Sequence, residues 1–169
     1  MMNCNIDIEY PEIKVERKNK EYAYYLLEDY AGVTSELTAI TLYVYGHIIN
    51  KETNKELSKT LKGIFISEMH HLEILGSLIK LLGVKPVYKT INNNTLTPWN
   101  SNYVNYETDP VKSLLFNIES EVKAIKQYKE HIELIDDIYI KKILERIILD
   151  EIEHIKCFNK LLEKIKNKR

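Results

Sequence analysis

The chain has 169 residues, 44% hydrophobic and 29% charged, with five glycines and four prolines. That composition favours one helix-rich domain over a β-sandwich or a disordered chain. A formal net charge of -1 gives no basic field for nucleic acid or an anionic membrane, and no apolar run approaches the ~20 residues needed to span a bilayer.

The N-terminal stretch MMNCNIDIEYPEIK lacks a signal-peptide layout, and residues 1–18 read as a short arm packed on the outside of a domain spanning 19–169. Cys4 and Cys157 stand alone rather than in CxxC pairs. A disulfide framework or a cysteine-bound metal is therefore not expected, and the expected compartment is a reducing cytoplasm. Four segments, 19–50, 53–83, 110–134 and 137–167, are poor in Gly and Pro and predict long helices. Thr53 with Glu56 reads as a capping box, Asp109-Pro110 as a helix start, and Gly83 before Pro86 as a helix stop. The basic end KIKNKR reads as a solvated helix terminus complementing the helix dipole.

The connections near 50–53 and 134–137 are tight, so helices one and two, and three and four, should form antiparallel hairpins. Residues 84–109 (VKPVYKTINNNTLTPWNSNYVNYETD) lie between the pairs. Extended, they could span ~80 Å at ~3.3 Å per residue, whereas a 30-residue helix is ~45 Å long. The linker can thus run back along the whole bundle, giving an all-α, up-down-down-up four-helix bundle with one long crossover. Trp99, Tyr103 and Tyr106 are expected to anchor that crossover.

Residues alternately four and three apart share one inward face of a bundle helix. In helix two that stripe is aliphatic apart from Glu68 and His71, and in helix four it is apolar apart from Glu151 and His154. Helix three is broken at its centre by Glu121. The first helix, with the stripe Tyr22, Leu26, Asp29, Val33, Glu36, Ile40, Tyr43 and His47, is more polar and carries Glu36 centrally. Four carboxylates at one level of a core would each bear several kcal/mol of desolvation and would repel one another. Two divalent cations cancel the −4 charge, with neutral imidazoles filling the remaining positions. Glu and His three apart occupy one helical turn and can reach a common cluster. A single Glu-x-x-His is a weak signal, but two on apolar stripes, matched by central glutamates on the other two helices, form the ligand set of a carboxylate-bridged dimetal bundle. Tyr128 and Tyr43 are placed to hydrogen-bond ligand carboxylates. Asp29 and His47 sit nearer the stripe ends, where water can reach them; His70 points away, and His131 and Cys157 lie off the stripes.

On E36 in DYAGVTSELTAI, E68MHH71, E121VKAIKQY128 and E151IEH154, the sequence resembles the ferritin-like superfamily, particularly its rubrerythrin and manganese-catalase branch, over roughly residues 20–165. The resemblance implies that Glu68 and Glu151 bridge two metals, with Glu36 and His71 completing one site and Glu121 and His154 the other. It implies two iron ions, or alternatively two manganese ions. The implied activity is a di-iron oxidoreductase reducing hydrogen peroxide or dioxygen, with manganese-catalase-like dismutation and non-enzymatic iron binding or storage as alternatives. Lacking a rubredoxin domain, the chain would need an external electron donor such as a separate rubredoxin; a homodimer is expected. Ala124 occupies the position where many rubrerythrins carry an additional glutamate.

Overall fold

Among the described residues five α-helices form, each opened by a side chain that accepts hydrogen bonds from the first turn: α1 (Lys20–Ala31) by Asn19, α2 (Glu36–Asn50) by Ser35, α3 (Lys55–Leu81) by Asn54, α4 (Pro110–Leu134) by Asp109 and α5 (Ile138–Lys166) by Asp137. Such caps satisfy backbone donors that have no partner within the helix. The computed structural model describes residues 4–92 and 95–167. Residues 1–3 of the expected arm, 93–94 of the expected crossover and 168–169 of the basic end lie outside the described residues. Gly83 follows α3 at φ 95, where a side chain would be strained.

The expected first helix is two helices. At Gly32 the backbone turns extended (ψ -167), and the Ser35 and Thr38 hydroxyls both donate to the Gly32 carbonyl, at 2.8 and 2.9 Å. A Cβ on Gly32 would stand 2.5 Å from the Glu28 carbonyl oxygen, so this close approach needs glycine. The break turns Val33, expected on the inner stripe, outward to 61% exposure. It also makes Glu36 the first residue of α2. The start of α3 differs as well, because Asn54 rather than Thr53 supplies the cap.

α2 packs along α3 and α4 along α5, the two hairpins of a ferritin-like four-helix bundle in which α1 and α2 together occupy the first position. The crossover is more structured than an extended linker. It carries an antiparallel hairpin of β1 (Lys89–Asn92) and β2 (Thr95–Pro98), then a short 3-10 turn at Ser101–Tyr103. Trp99 packs against both core clusters and donates from Nε1 to Thr38 Oγ1 at 2.9 Å. Tyr106 is exposed; its ring meets that of Tyr45 edge-on, its hydroxyl donates to the Ser101 carbonyl, and its own carbonyl accepts from Tyr45 Oη. Among the described residues no helix is long and apolar enough to cross a membrane.

Two apolar clusters fill the bundle. One gathers Leu26, Leu75, Leu78, Leu144 and Ile147; the other gathers Leu42, Leu61, Ile64, Leu114 and Phe158. Between them, in both α3 and α5, the sequence places a Glu-x-x-His. The arm also departs from expectation. Cys4 is buried in a disulfide with Cys157 of α5, 153 residues away, so the two isolated cysteines are partners after all. Their pairing depends on the folded path of the arm, which spacing in the sequence does not reveal.

Candidate metal centre

Glu68 and His71 sit one turn apart on α3, Glu151 and His154 one turn apart on α5, and Glu36 and Glu121 project from α2 and α4. All six are between 0 and 3% exposed. The structure brings all of them together. Glu36, Glu68, His71 and Glu151 each offer a ligand atom within 4.8 Å of the others, and so do Glu68, Glu121, Glu151 and His154. The two groups share Glu68 and Glu151. The imidazoles lie 6.2 Å apart between centroids. His71 Nδ1 is 2.9 Å from Glu68 Oε2 and 3.3 Å from Glu151 Oε1, and His154 Nδ1 is 2.8 Å from Glu151 Oε2 and 3.1 Å from Glu68 Oε1.

The two tyrosines act crosswise. Tyr128 of α4 donates to Glu36 Oε1 on α2, and Tyr43 of α2 donates to Glu121 Oε1 on α4. Each fixes a carboxylate from the opposite helix, and burial raises both phenols well above their ordinary pKa.

Burial is the largest influence on Glu36, Glu68 and Glu121. With the Glu68 charge added, it holds Glu36 well above the usual carboxylate range. With Glu151 and Glu68 nearby, it pushes Glu121 up to about 8. For Glu68 burial is outweighed by His154 and His71, which bring it down to about 2. Burial likewise opposes charging of the two histidines, but the surrounding carboxylates prevail and raise both. Glu68 Oε1 and His154 Nε2 are buried without a hydrogen-bond partner among the described residues. Unsatisfied polar atoms in a core normally call for an explanation. A layer with four buried carboxylates and two imidazoles, converging on shared oxygens, has the donor chemistry and geometry to hold two divalent cations.

Three contributors lay outside the sequence reading: Tyr10, Arg146 and Asp150. His71 Nε2 lies 2.8 Å from Tyr10 Oη and 3.2 Å from Asp150 Oδ2. Asp150 also accepts from Tyr10 Oη and from Ile6 N at 3.0 Å, and pairs with Arg146 Nη1 at 2.9 Å. Arg146 in turn donates to the carbonyls of Ile6 and Ile8 and covers the Tyr10 ring at 4.2 Å. A carboxylate behind an imidazole orients its ring and selects the tautomer that frees Nδ1 as a ligand. Asp150 precedes Glu151 and lies four residues from Arg146, a discernible pattern; Tyr10, in an arm without periodicity, gave no such signal.

The remaining candidates fall elsewhere. His70 is exposed. His47 Nδ1 meets Ser58 at 2.8 Å. Asp29, expected within reach of water, is 1% exposed and bonded to His131 Nδ1 at 2.8 Å and Gln127 Nε2 at 2.8 Å. Burial raises Asp29, whereas its carboxylate and that of Glu28 take His131 up to about 10 against burial.

A helical bundle whose core is interrupted by such a layer defines a class, and residues 31–168 match the ferritin-like domain; the chain belongs to that family. Within it the similarity runs to the manganese-catalase branch. A protein of Clostridium acetobutylicum described as a probable manganese catalase is 28% identical, covering 92% of this chain and 76% of that protein. Protein CotJC of Bacillus subtilis is 26% identical, covering 96% and 93% respectively. The crystal structure of KatB, a manganese catalase from Anabaena, superposes with a TM-score of 0.84 at 27% identity, over 95% of this chain and 80% of that one.

Proposed function

We propose that the chain is a manganese-catalase-like oxidoreductase that disproportionates hydrogen peroxide at a dimetal centre held by Glu36, Glu68, His71, Glu121, Glu151 and His154. The observation that carries this reading is the pair of overlapping donor groups sharing Glu68 and Glu151. Their carboxylates sum to −4, the charge two divalent ions cancel. Oxygen and imidazole donors are compatible with either iron or manganese. The iron-first expectation gives way to manganese because the relatives in Clostridium and Anabaena are described as manganese catalases.

A bound manganese pair supplies a two-electron couple, so two H2O2 give two H2O and one O2 with no outside donor. The rubredoxin partner expected for the iron reading is then unnecessary. The chain's own part is positional. Tyr128 and Tyr43 hold Glu36 and Glu121 in place. Asp150 and Tyr10 hold the His71 ring with Nδ1 toward the carboxylates. Leu75, Ile147, Ile64 and Phe158 keep bulk water from the two ends of the layer.

The test is metal analysis of protein purified without added metal, combined with oxygen release from H2O2 in the absence of reductant. Two manganese per chain and one O2 per two peroxides are expected. Metal-free protein, or peroxide consumption that requires a reductant, would overturn the reading.

A further inference from the structure

We propose that the gap between α2 and α4 is the port through which metal ions and peroxide reach the carboxylate layer, and that Ala39 and Ala124 set its width to pass H2O2 and exclude alkyl hydroperoxides; the proposal rests on the dimetal reading above.

Among the described residues, packed side chains stand between the layer and solvent on its other sides, including at the arm-side hollow bordered by Tyr10, Ser67 and Asp150. His71 and His154 are 0% exposed. Apolar clusters cap both ends of the layer, and behind His71 the arm lays Tyr10 against Asp150. On the α2–α4 side, by contrast, a cavity of about 20 Å³ touches all four glutamates, Glu36, Glu68, Glu121 and Glu151. That is room for about one water-sized molecule. A second cavity, of about 100 Å³, lies outside it and reaches Tyr103 and Phe116.

The residues lining both cavities are Thr34, Ser35, Ala39, Glu121 and Ala124. They mark the neck between outer and inner space. Thr34, Ala39 and Ala124 are half-buried, between the solvent-facing rim and the buried acids. Two of them present only a methyl group. One rim of the neck is the α1–α2 break, tied to α4 because Gln127 Nε2 donates to Asp29 Oδ1 at 2.8 Å and to the Thr34 carbonyl at 3.0 Å. Because the space behind the neck holds about one water-sized molecule, the passage admits a dehydrating cation or H2O2, but not a peroxide bearing a branched alkyl group. The carboxylate oxygens of the four glutamates behind it are the donors that the arriving cation meets, in exchange for the protons held there.

The experiment starts from metal-stripped protein and follows Mn²⁺ uptake by loss of the free-ion magnetic resonance signal, then measures peroxide consumption. Ala124→Leu fills the neck from α4 and Ala39→Leu from α2, so the second repeats the test should the first fail to fold. Each is expected to slow uptake by about tenfold or more, as narrowing a rate-limiting passage does, with the final manganese content unchanged and H2O2 turnover falling in parallel. Ala124→Ser should load at the wild-type rate, and wild type should leave tert-butyl hydroperoxide untouched while consuming H2O2. Folded leucine variants that load and turn over at wild-type rates would overturn the port and leave the dimetal reading standing. Wild type consuming tert-butyl hydroperoxide as fast as H2O2 would overturn the size limit. Wild type that never takes up metal would overturn both the port and the reading beneath it.

Discussion

Loading the centre should release protons, and the structure sets how many. In the metal-free chain, Glu36 is held protonated by burial and the Glu68 charge, and Glu121 by burial with Glu151 and Glu68. His71 and His154 are held protonated, against burial, by the surrounding carboxylates. One proton on each gives four, matching the +4 of two divalent ions. At pH 6–7 the combined affinity for the pair should therefore rise ~10⁴-fold per pH unit, or ~5.5 kcal/mol. The slope should flatten above about pH 8, where Glu121 ionises unaided. All four folded-state values lie above the unfolded ones, so their contribution to apo stability is complete below the unfolded values and drains as pH rises through the folded ones. Glu68 has the opposite sign: held at about 2, it contributes above its ordinary value and loses that contribution only as pH falls toward 2. The apo protein should thus unfold more easily at pH 9 than at pH 6, and the loaded protein should escape that loss. Calorimetric titration with Mn²⁺ in two buffers of different ionisation enthalpy counts the protons. Release of one or fewer at pH 7 would refute the reasoning.

Tyr128→Phe removes the donor to Glu36 Oε1 and should weaken metal binding at the α2 side by about 10–100-fold; unaltered binding isotherms would contradict this. Asp150→Asn leaves the buried Arg146 guanidinium without its ion pair, costing about 3–5 kcal/mol. It should also loosen the ion beside His71 more than the one beside His154, visible as a protein that retains a single tightly held manganese. Cys4→Ser opens a cross-link spanning 153 residues, for which chain entropy sets an upper figure of about 5 kcal/mol. A denaturation midpoint equal to that of the oxidised parent would count against a stabilising bridge.

The Glu-x-x-His pairs were legible because α3 and α5 run unbroken through the layer, so a 3.6-residue period carries each pair onto the buried face. The same period misled at Val33. The apolar stripe continues through GVTS in the sequence, but Gly32 and the Ser35 cap end one helix and begin another, and local hydrogen bonding prevailed over pattern. The hairpin in the crossover has a sequence signal in the β-branched residues on either side of the Asn-rich stretch, which the expectation of an extended linker did not use. Tyr10 and the Cys4–Cys157 bridge were not legible, because an arm without periodicity reveals its contacts only once the bundle it lies on exists.

The crossed tyrosines explain how a bundle can leave an opening beside its centre without losing the positions of the ligands there. α2 and α4 pack sparsely on one another, while each packs closely along its hairpin partner. Across that thin wall, Tyr43 reaches from α2 to Glu121 and Tyr128 reaches from α4 to Glu36. These hydrogen bonds tie the two helices at the level of the acids, where apolar packing would have filled the gap. The opposite wall is built otherwise. There His71 is backed by Asp150, Arg146 and Tyr10, while His154 Nε2 meets no hydrogen-bond partner among the described residues. Two halves that match in sequence, each with one Glu-x-x-His and one lone glutamate, thus become unequal in the fold. Among the described residues, the arm's contribution to the inequality is Tyr10, which meets His71 Nε2.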